Sequence, residues 1–506
     1  MFPGDSYGVA VSVAVLPDFL PAEAIGRPMR LDELLPAASM SDAELAREIE
    51  ACTQVEAIVA AYKAERIAHL AARRPASADL KPGDPGAAVE RDEWLPEGIS
   101  EFFPDELAMT LNCSRTAATV LTEVSQTLVT SLRATWTALA EGRVDYPRAR
   151  ALALELGLPA RDTDPSIVAA VEAAMLPIAN QLSVKRLRAA ARKELMARDA
   201  EAADRRRKRA ERAADVVVRS IGDGMAQVVT TMPTPLAAAN RDTVDRYARM
   251  AKADGDERTL GQLRSAFQSD LVLRVWDTSR PPVTAHVIVD APLPALELRP
   301  GAVAEVNGSA ITAAHVRELL ESFDALCPGG LQTPTGGTVT VAVRSPDTGE
   351  LLAAPTLPEL RRVARRGCRD HPDGSCACPV LERPPRVDRY RPSPAQRRWG
   401  TTRDRTCRQP GCDNSAGWAD LDHVIPHALG GPTDCSNLCC LCRRHHRLKT
   451  HAPGWRFVMH ADGTLSVTTP SGITRTTRPP GLHALAEHRP VPPGELAGPV
   501  DDPPPF

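Results

Sequence analysis

The chain has 506 residues, with 61 Lys and Arg against 64 Asp and Glu, long enough for two or three domains with sizeable cores. Its net charge of −3 averages over segments of opposite sign, and no apolar run approaches the eighteen residues of a membrane-spanning helix. Nine of the twelve cysteines lie between Cys368 and Cys442, close to histidines, which excludes an evenly spread disulfide framework and points to metal binding in a reducing compartment.

Residues 1–40 are broken by Pro17, Pro21, Pro28 and Pro36 and read as irregular, without the charged and apolar regions of a secretory leader; a cytoplasmic protein is expected. From Ser41, a helix N-cap, Leu45, Ile49, Val55, Ile58, Tyr62 and Ile67 recur at roughly helical spacing. Residues 75–95 read as a linker. Further helices are expected up to Met196, with the pair around Asn112-Cys113 spaced like a helix-turn-helix that would put Arg115 at the start of a DNA-contacting helix, or that simply packs in a bundle. Ser183 caps a basic helix that runs into Arg205–Arg209, where Glu201, Asp204 and Glu211 stand at pairing distance and favour a solvated face over a phosphate site. A hairpin over 215–231 and helices from Leu236 and Thr259 complete a mainly helical region, 41–280.

Residues 281–382 read as a mixed α/β continuation, with strands at Val283–Val289 and Thr338–Arg344 and a helix between them. Cys368, His371, Cys376 and Cys378 form a Cys-rich loop with irregular spacing for a second zinc ion. Between Arg383 and Arg456, 14 Lys and Arg face 6 Asp and Glu, about +8, so positive charge gathers where a polyphosphate partner would need it. Trp399 is expected to pack on this module, and a small hairpin turning at Asp462-Gly463 to finish it. Residues 471–506 read as a Pro-rich disordered tail.

Within this basic module Cys407 and Cys412 form C-x4-C, and Cys442 and His445 form C-x2-H thirty residues later, a donor set for one closed structural zinc ion. Such a site replaces the hydrophobic core that some fifty residues cannot build. Asp422-His423, Asn437 and His446 are left free for chemistry, whereas Cys435, Cys439 and Cys440 read as packing thiols, and His427 and His451 as ordinary surface or core histidines.

The order Asp-His, Asn, His, framed by these pairs and by Ile425-Pro426, Gly430-Gly431 and Leu441-Cys442, resembles the HNH endonuclease motif over roughly 403–450. One departure is His445, which stands where many relatives carry a second Cys. The resemblance implies a ββα-metal module over 383–470 that hydrolyses phosphodiester bonds in DNA. His423 would be the general base, and Asp422 and His446 the ligands of a catalytic Mg²⁺ or Mn²⁺. Asn437 would either bridge the loop and orient the base strand, the favoured role, or ligate the metal. Arg443, Arg444, Arg447 and Lys449 are candidate phosphate contacts, although Arg444 or Arg447 can equally form ion pairs. The elements over 40–360, through fragments such as RTLGQLRSAFQSDLV and PDTGELL, resemble the helical domain of unknown function that precedes HNH modules in many actinobacterial proteins. The alternative is a zinc-containing DNA-binding protein that does not cut; no membrane partner is expected, and oligomeric state is not legible.

Overall fold

The computed structural model describes residues 40–88, 95–222, 224–274, 276–277, 289–290, 303–306, 309–334, 337–345, 349–366 and 382–480. The Cys-rich loop with Cys368, His371, Cys376 and Cys378, most of the expected strand Val283–Val289, the N-terminal segment and the end of the tail lie outside them.

The N-terminal region is mainly helical: α1 (Asp42–Ala72), α2 (Phe103–Leu111), α3 (Arg115–Thr130), α4 (Arg133–Ala140), α5 (Tyr146–Leu156), α6 (Pro165–Met175), α7 (Val184–Arg198) and α8 (Ala200–Arg212). Most starts follow from local capping chemistry. Ser41 and Glu44 bond reciprocally at the start of α1, Ser114 accepts from the Ala117 amide and Ser183 from the Arg186 amide. Asn112, in the left-handed conformation at φ +53°, ends α2. The basic helix expected to run through Arg205–Arg209 is broken at Asp199, whose carboxylate accepts from the Ala202 amide and starts α8 anew. On α8, Arg207 pairs with Asp204 at 2.8 Å and Glu211 at 2.6 Å, and Lys208 with Asp204 at 3.0 Å.

The hairpin β1 (Val216–Gly222) and β2 (Met225–Thr230) pairs Val216 with Thr230, and α9 (Thr234–Ala253) and α10 (Leu260–Leu273) follow, the latter opened by a Thr259/Gln262 capping box. Next come β3 (Val289–Asp290), β4 (Val303–Val306) and β5 (Ser309–Thr312), one antiparallel sheet under α11 (Ala313–Ser322). Two short pairs, β6 (Leu326–Cys327) with β7 (Gly330–Leu331) and β8 (Val343–Arg344) with β9 (Leu351–Ala353), precede α12 (Leu357–Arg366). The strand expected over Thr338–Arg344 is reduced to its last two residues and an isolated bridge from Thr340 to Thr356.

The described residues fall into two compact units, one within Met1–His69 and Glu123–Arg198, the other within Leu70–Thr122 and Asp199–Phe506. The first has a core of Leu128, Leu132, Leu139, Leu152, Val171, Leu187 and Leu195. Two of its buried acids are paired: Glu155 accepts from Arg188 and Arg192, and Glu172 from the Thr135 amide at 2.7 Å.

The second unit carries the C-terminal module: α13 (Pro394–Asp404), β10 (Asp420–His423), β11 (Leu438–Leu441), α14 (Arg443–His451), β12 (Arg456–Met459), β13 (Leu465–Thr468) and β14 (Thr474–Thr477). β10 and β11 are antiparallel with Asp422 opposite Cys439, and α14 follows β11 after one residue. The sheet after α14 has a third strand, Thr474–Thr477, paired with β13 in a stretch that the sequence assigns to the tail. Trp399 is buried among Leu351, Ala354 and Cys435, with the Arg403 guanidinium 4.8 Å from its ring centre. Among the described residues no helix is long and apolar enough to cross a membrane.

Candidate metal centre and base strand

One fully buried carboxylate ties the module together. Asp404, at the end of α13, accepts from Arg403 Nε at 2.6 Å and Nη2 at 2.9 Å, from Arg408 Nη1 at 2.9 Å, and from the Cys440 amide at 2.8 Å. Burial alone would push this carboxyl up, but the two guanidinia and the amide outweigh it and hold it below the usual range. Asp404 thus fixes both the Arg408 loop beside Cys407 and strand β11.

On that frame Cys407, Cys412, Cys442 and His445 converge, their ligand atoms all within 4.8 Å of one another. His445 Nδ1 lies 3.3 Å from Cys407 Sγ and 3.2 Å from Cys442 Sγ. A tetrahedral ion with Zn–S of about 2.3 Å and Zn–N of about 2.0–2.1 Å holds its ligand atoms roughly 3.5–3.8 Å apart, so three thiols and one imidazole at these distances fit such an ion. Bonds from Cys407 and Cys412, with His445 beside them, draw the Cys442 thiol down. Cys435, Cys439 and Cys440 stay outside the cluster as packing groups, and burial raises the thiols of Cys435 and Cys439 to about 12.

Strand β10 presents its residues to opposite sides. One side carries Asp420 and Asp422 toward α14. His446 Nδ1 meets Asp420 Oδ2 at 2.9 Å, and His446 Nε2 lies 3.5 Å from Asp422 Oδ1. The other oxygen of Asp422 accepts from Lys449 Nζ at 2.9 Å.

The other side carries His423, buried, with its Nε2 2.8 Å from Thr433 Oγ1. The Thr433 hydroxyl has one proton and donates it to the Arg389 carbonyl at 2.6 Å. It therefore accepts from His423, so Nε2 carries the ring proton and Nδ1 keeps the lone pair. Tyr390 stacks on this ring at 5.4 Å and His427 meets it edge-on at 5.5 Å. Burial, helped by His427 and Lys449 against the opposing charge of Asp422, holds the imidazole below its ordinary value, so it is neutral near pH 7.

Asn437 binds the loop between the strands: its Oδ1 accepts from the Ile425 amide at 2.8 Å, and its Nδ2 donates to the Ile425 and Pro432 carbonyls at 3.0 Å. Both functions of the amide are used on the loop, the geometry of a bridge. Gly431 completes the turn, because a Cβ there would lie 1.9 Å from the Ile425 carbonyl oxygen.

The candidate phosphate contacts have protein partners. Arg444 donates to Asp105 Oδ2 at 2.7 Å and to the Glu101 carbonyl, and Arg447 pairs with both oxygens of Glu101 and donates to the Gly86 carbonyl at 2.7 Å. Arg443 is largely exposed, with Asp420 3.4 Å away, and Lys449 is held by Asp422. Arg115, the candidate helix-turn-helix contact, lies 3.7 Å from Asp105.

Sequence reasoning did not single out Asp420, Thr433, Tyr390, His427 or Asp105 for the site. Asp420, two residues before Asp422 on one strand face, was the one that spacing alone could have found.

Residues 56–326 match the family described as Domain of unknown function (DUF222), and the chain belongs to that family. It is similar to Uncharacterized protein Rv3776 of Mycobacterium tuberculosis, 40% identical over 177 residues, 34% of this chain and 31% of that one. It is also similar to Uncharacterized protein Rv2100 of the same organism, 38% identical over 198 residues, 39% of this chain and 33% of the relative. The matches thus span about a third of the length of each curated relative. No solved structure matches the chain.

Proposed function

We propose that the C-terminal module is a metal-dependent HNH endonuclease that hydrolyses phosphodiester bonds in DNA. The observation that carries this reading is one short strand that offers His423, with Nε2 engaged by Thr433, and Asp422, with one oxygen toward His446. His423 acts through Nδ1 as the base that takes a proton from water, and Thr433 with the Arg389 carbonyl keeps that lone pair available. Asp422 and His446, with Asp420 beside them, are a carboxylate and imidazole set suited to Mg²⁺ or Mn²⁺. Such an ion, when bound, stabilises charge on the phosphate and the leaving oxygen. Asn437 holds the loop so that the base strand keeps its position, and the cluster of Cys407, Cys412, Cys442 and His445 takes structural zinc. The excess of Lys and Arg over 383–456 suits a nucleic-acid partner, and reduced thiols suit the cytoplasm.

The second reading, a zinc-containing DNA-binding protein that does not cut, draws support from Lys449, whose ion pair already neutralises Asp422. Asp422→Asn and His446→Ala separate the two. In folded, zinc-loaded protein, cutting that rises with Mn²⁺ should be lost in both variants while DNA is still retained. Retention of DNA by a wild type that never cuts would favour the binding module.

A further inference from the structure

The metal cluster has a fifth polar neighbour that comes from far away in the chain. Asp105, on α2 within the DUF222 match, places Oδ1 3.1 Å from His445 Nε2, while His445 Nδ1 faces the thiols. Asp105 is 2% exposed and His445 5% exposed, so no water competes freely for this bond. A histidine that ligates a metal through one ring nitrogen needs a partner at the other to fix its tautomer and orientation, and a carboxylate is the strongest such partner.

The rest of α2 and the two residues before it are fitted to the same surface. Arg444, the residue before His445, pairs with Asp105, and Arg447 with Glu101. Arg475 donates to the Met109 carbonyl at 2.9 Å, and the Ser471 amide to Glu106 at 3.1 Å. Met109 packs in the apolar cluster that contains Cys407 and Cys442, and Phe102 in the one that contains Leu448 and Ala452.

We propose that Asp105 is a positioning residue of this metal centre, and that metal binding docks α2 of the DUF222 region onto the C-terminal module. This inference rests on the cluster taking a metal and is independent of whether the module cuts DNA. The coupling has a direct physical route. The first two turns of α14 carry a ligand, His445, and the two arginines that grip Asp105 on α2 and Glu101 just before it. The metal joins those turns to the Cys407–Cys412 loop. Without it, the imidazole meets the thiols through hydrogen-bond contacts alone, and Arg444 and Arg447 keep their bonds to Asp105, Glu101 and Gly86 with no ion behind them.

The test uses the full chain and Zn²⁺ itself. Zinc affinity is measured by competition with a chromophoric chelator for wild type, Asp105→Ala, Asp105→Asn and Glu106→Gln. Asp105→Ala should bind zinc 10–100-fold more weakly, and Asp105→Asn, which keeps an oxygen acceptor, should lose less. Glu106→Gln, which weakens the docking contact with the Ser471 amide without touching His445, should lose less than Asp105→Ala. Amide exchange over 103–111 in the wild type should accelerate when the metal is removed, a readout that needs no variant to fold. Wild-type affinity in a folded Asp105→Ala, an equal loss in Glu106→Gln, or exchange over 103–111 that ignores the metal would each overturn the proposal. A wild type that takes up no Zn²⁺ or Co²⁺ would overturn the metal reading of the cluster and the proposal with it, whatever the protein does to DNA.

Discussion

Replacing Asp404 by Ala tests the frame that holds the site. The carboxylate receives three guanidinium bonds and the Cys440 amide, with Asp404 wholly buried and Arg403 and Arg408 only 6% and 2% exposed. Arg403 would keep the Cys435 and Leu438 carbonyls, and Arg408 the Gly463 and Thr477 carbonyls, but two buried cations would lose the one carboxylate they pair with among the described residues. Breaking a buried pair from one side costs about 3–5 kcal/mol, because the remaining charge is left uncompensated. The assay is urea unfolding of zinc-loaded protein, followed by amide exchange in 403–441 so that the second unit is read separately. Asp404→Asn should lose less than Asp404→Ala. Because the folded carboxyl is held below its unfolded value of about 3.9, its contribution is complete above that pH and is lost as pH falls through the folded value. The advantage of wild type over Asp404→Asn should therefore be constant from pH 5 to 8 and shrink below about pH 4. A loss under about 1 kcal/mol in Asp404→Ala would refute the argument, since that is the size of an ordinary exposed pair.

Thr433→Val removes the acceptor for His423 Nε2–H without changing the shape of the side chain greatly. Cutting should fall, by no more than the roughly 10²–10⁴-fold that a general base supplies, with zinc content unchanged. Wild-type turnover in this variant would mean that the tautomer is set elsewhere. In the first unit, burial raises the Glu123 carboxyl to about 7 despite its bond from the Leu158 amide. The folded state then keeps a proton that the unfolded chain gives up, so stability falls as pH rises from about 4.5 to 7, by on the order of 3 kcal/mol at most. Glu123→Gln should match wild type near pH 4 and exceed it at pH 8 in thermal unfolding; identical pH profiles would contradict this.

What the sequence reveals follows the range of the interactions. Ser41, Ser183 and Thr259 mark helix starts because a cap and its target lie three residues apart. The cysteine and histidine spacings foretell the cluster because metal geometry restricts ligand spacing. For Asn437 the motif leaves a loop bridge or a metal ligand open, and the fold adds three bonds from its amide to Ile425 and Pro432. Asp105 and His445 are 340 residues apart, and no periodicity links them. The arginines of α14 read as candidate phosphate contacts from their place beside the last ligands, with an ion pair at Arg444 or Arg447 an equal reading, whereas the partners themselves, Asp105 and Glu101, appear only once the chain is folded. β14, TRTT, has too little apolar alternation to announce a strand and is formed by its register with β13.

We propose His423 as the base of a metal-dependent nuclease. Its most direct test is plasmid cleavage by purified wild type and His423→Ala with Mg²⁺, Mn²⁺ or EDTA, with folding and zinc content checked in each sample. Wild type should cut, EDTA should stop it, and a folded, zinc-loaded His423→Ala protein should lose the activity. Equal cutting by the two proteins, or a zinc-loaded wild type that cuts with neither ion, would contradict the proposal.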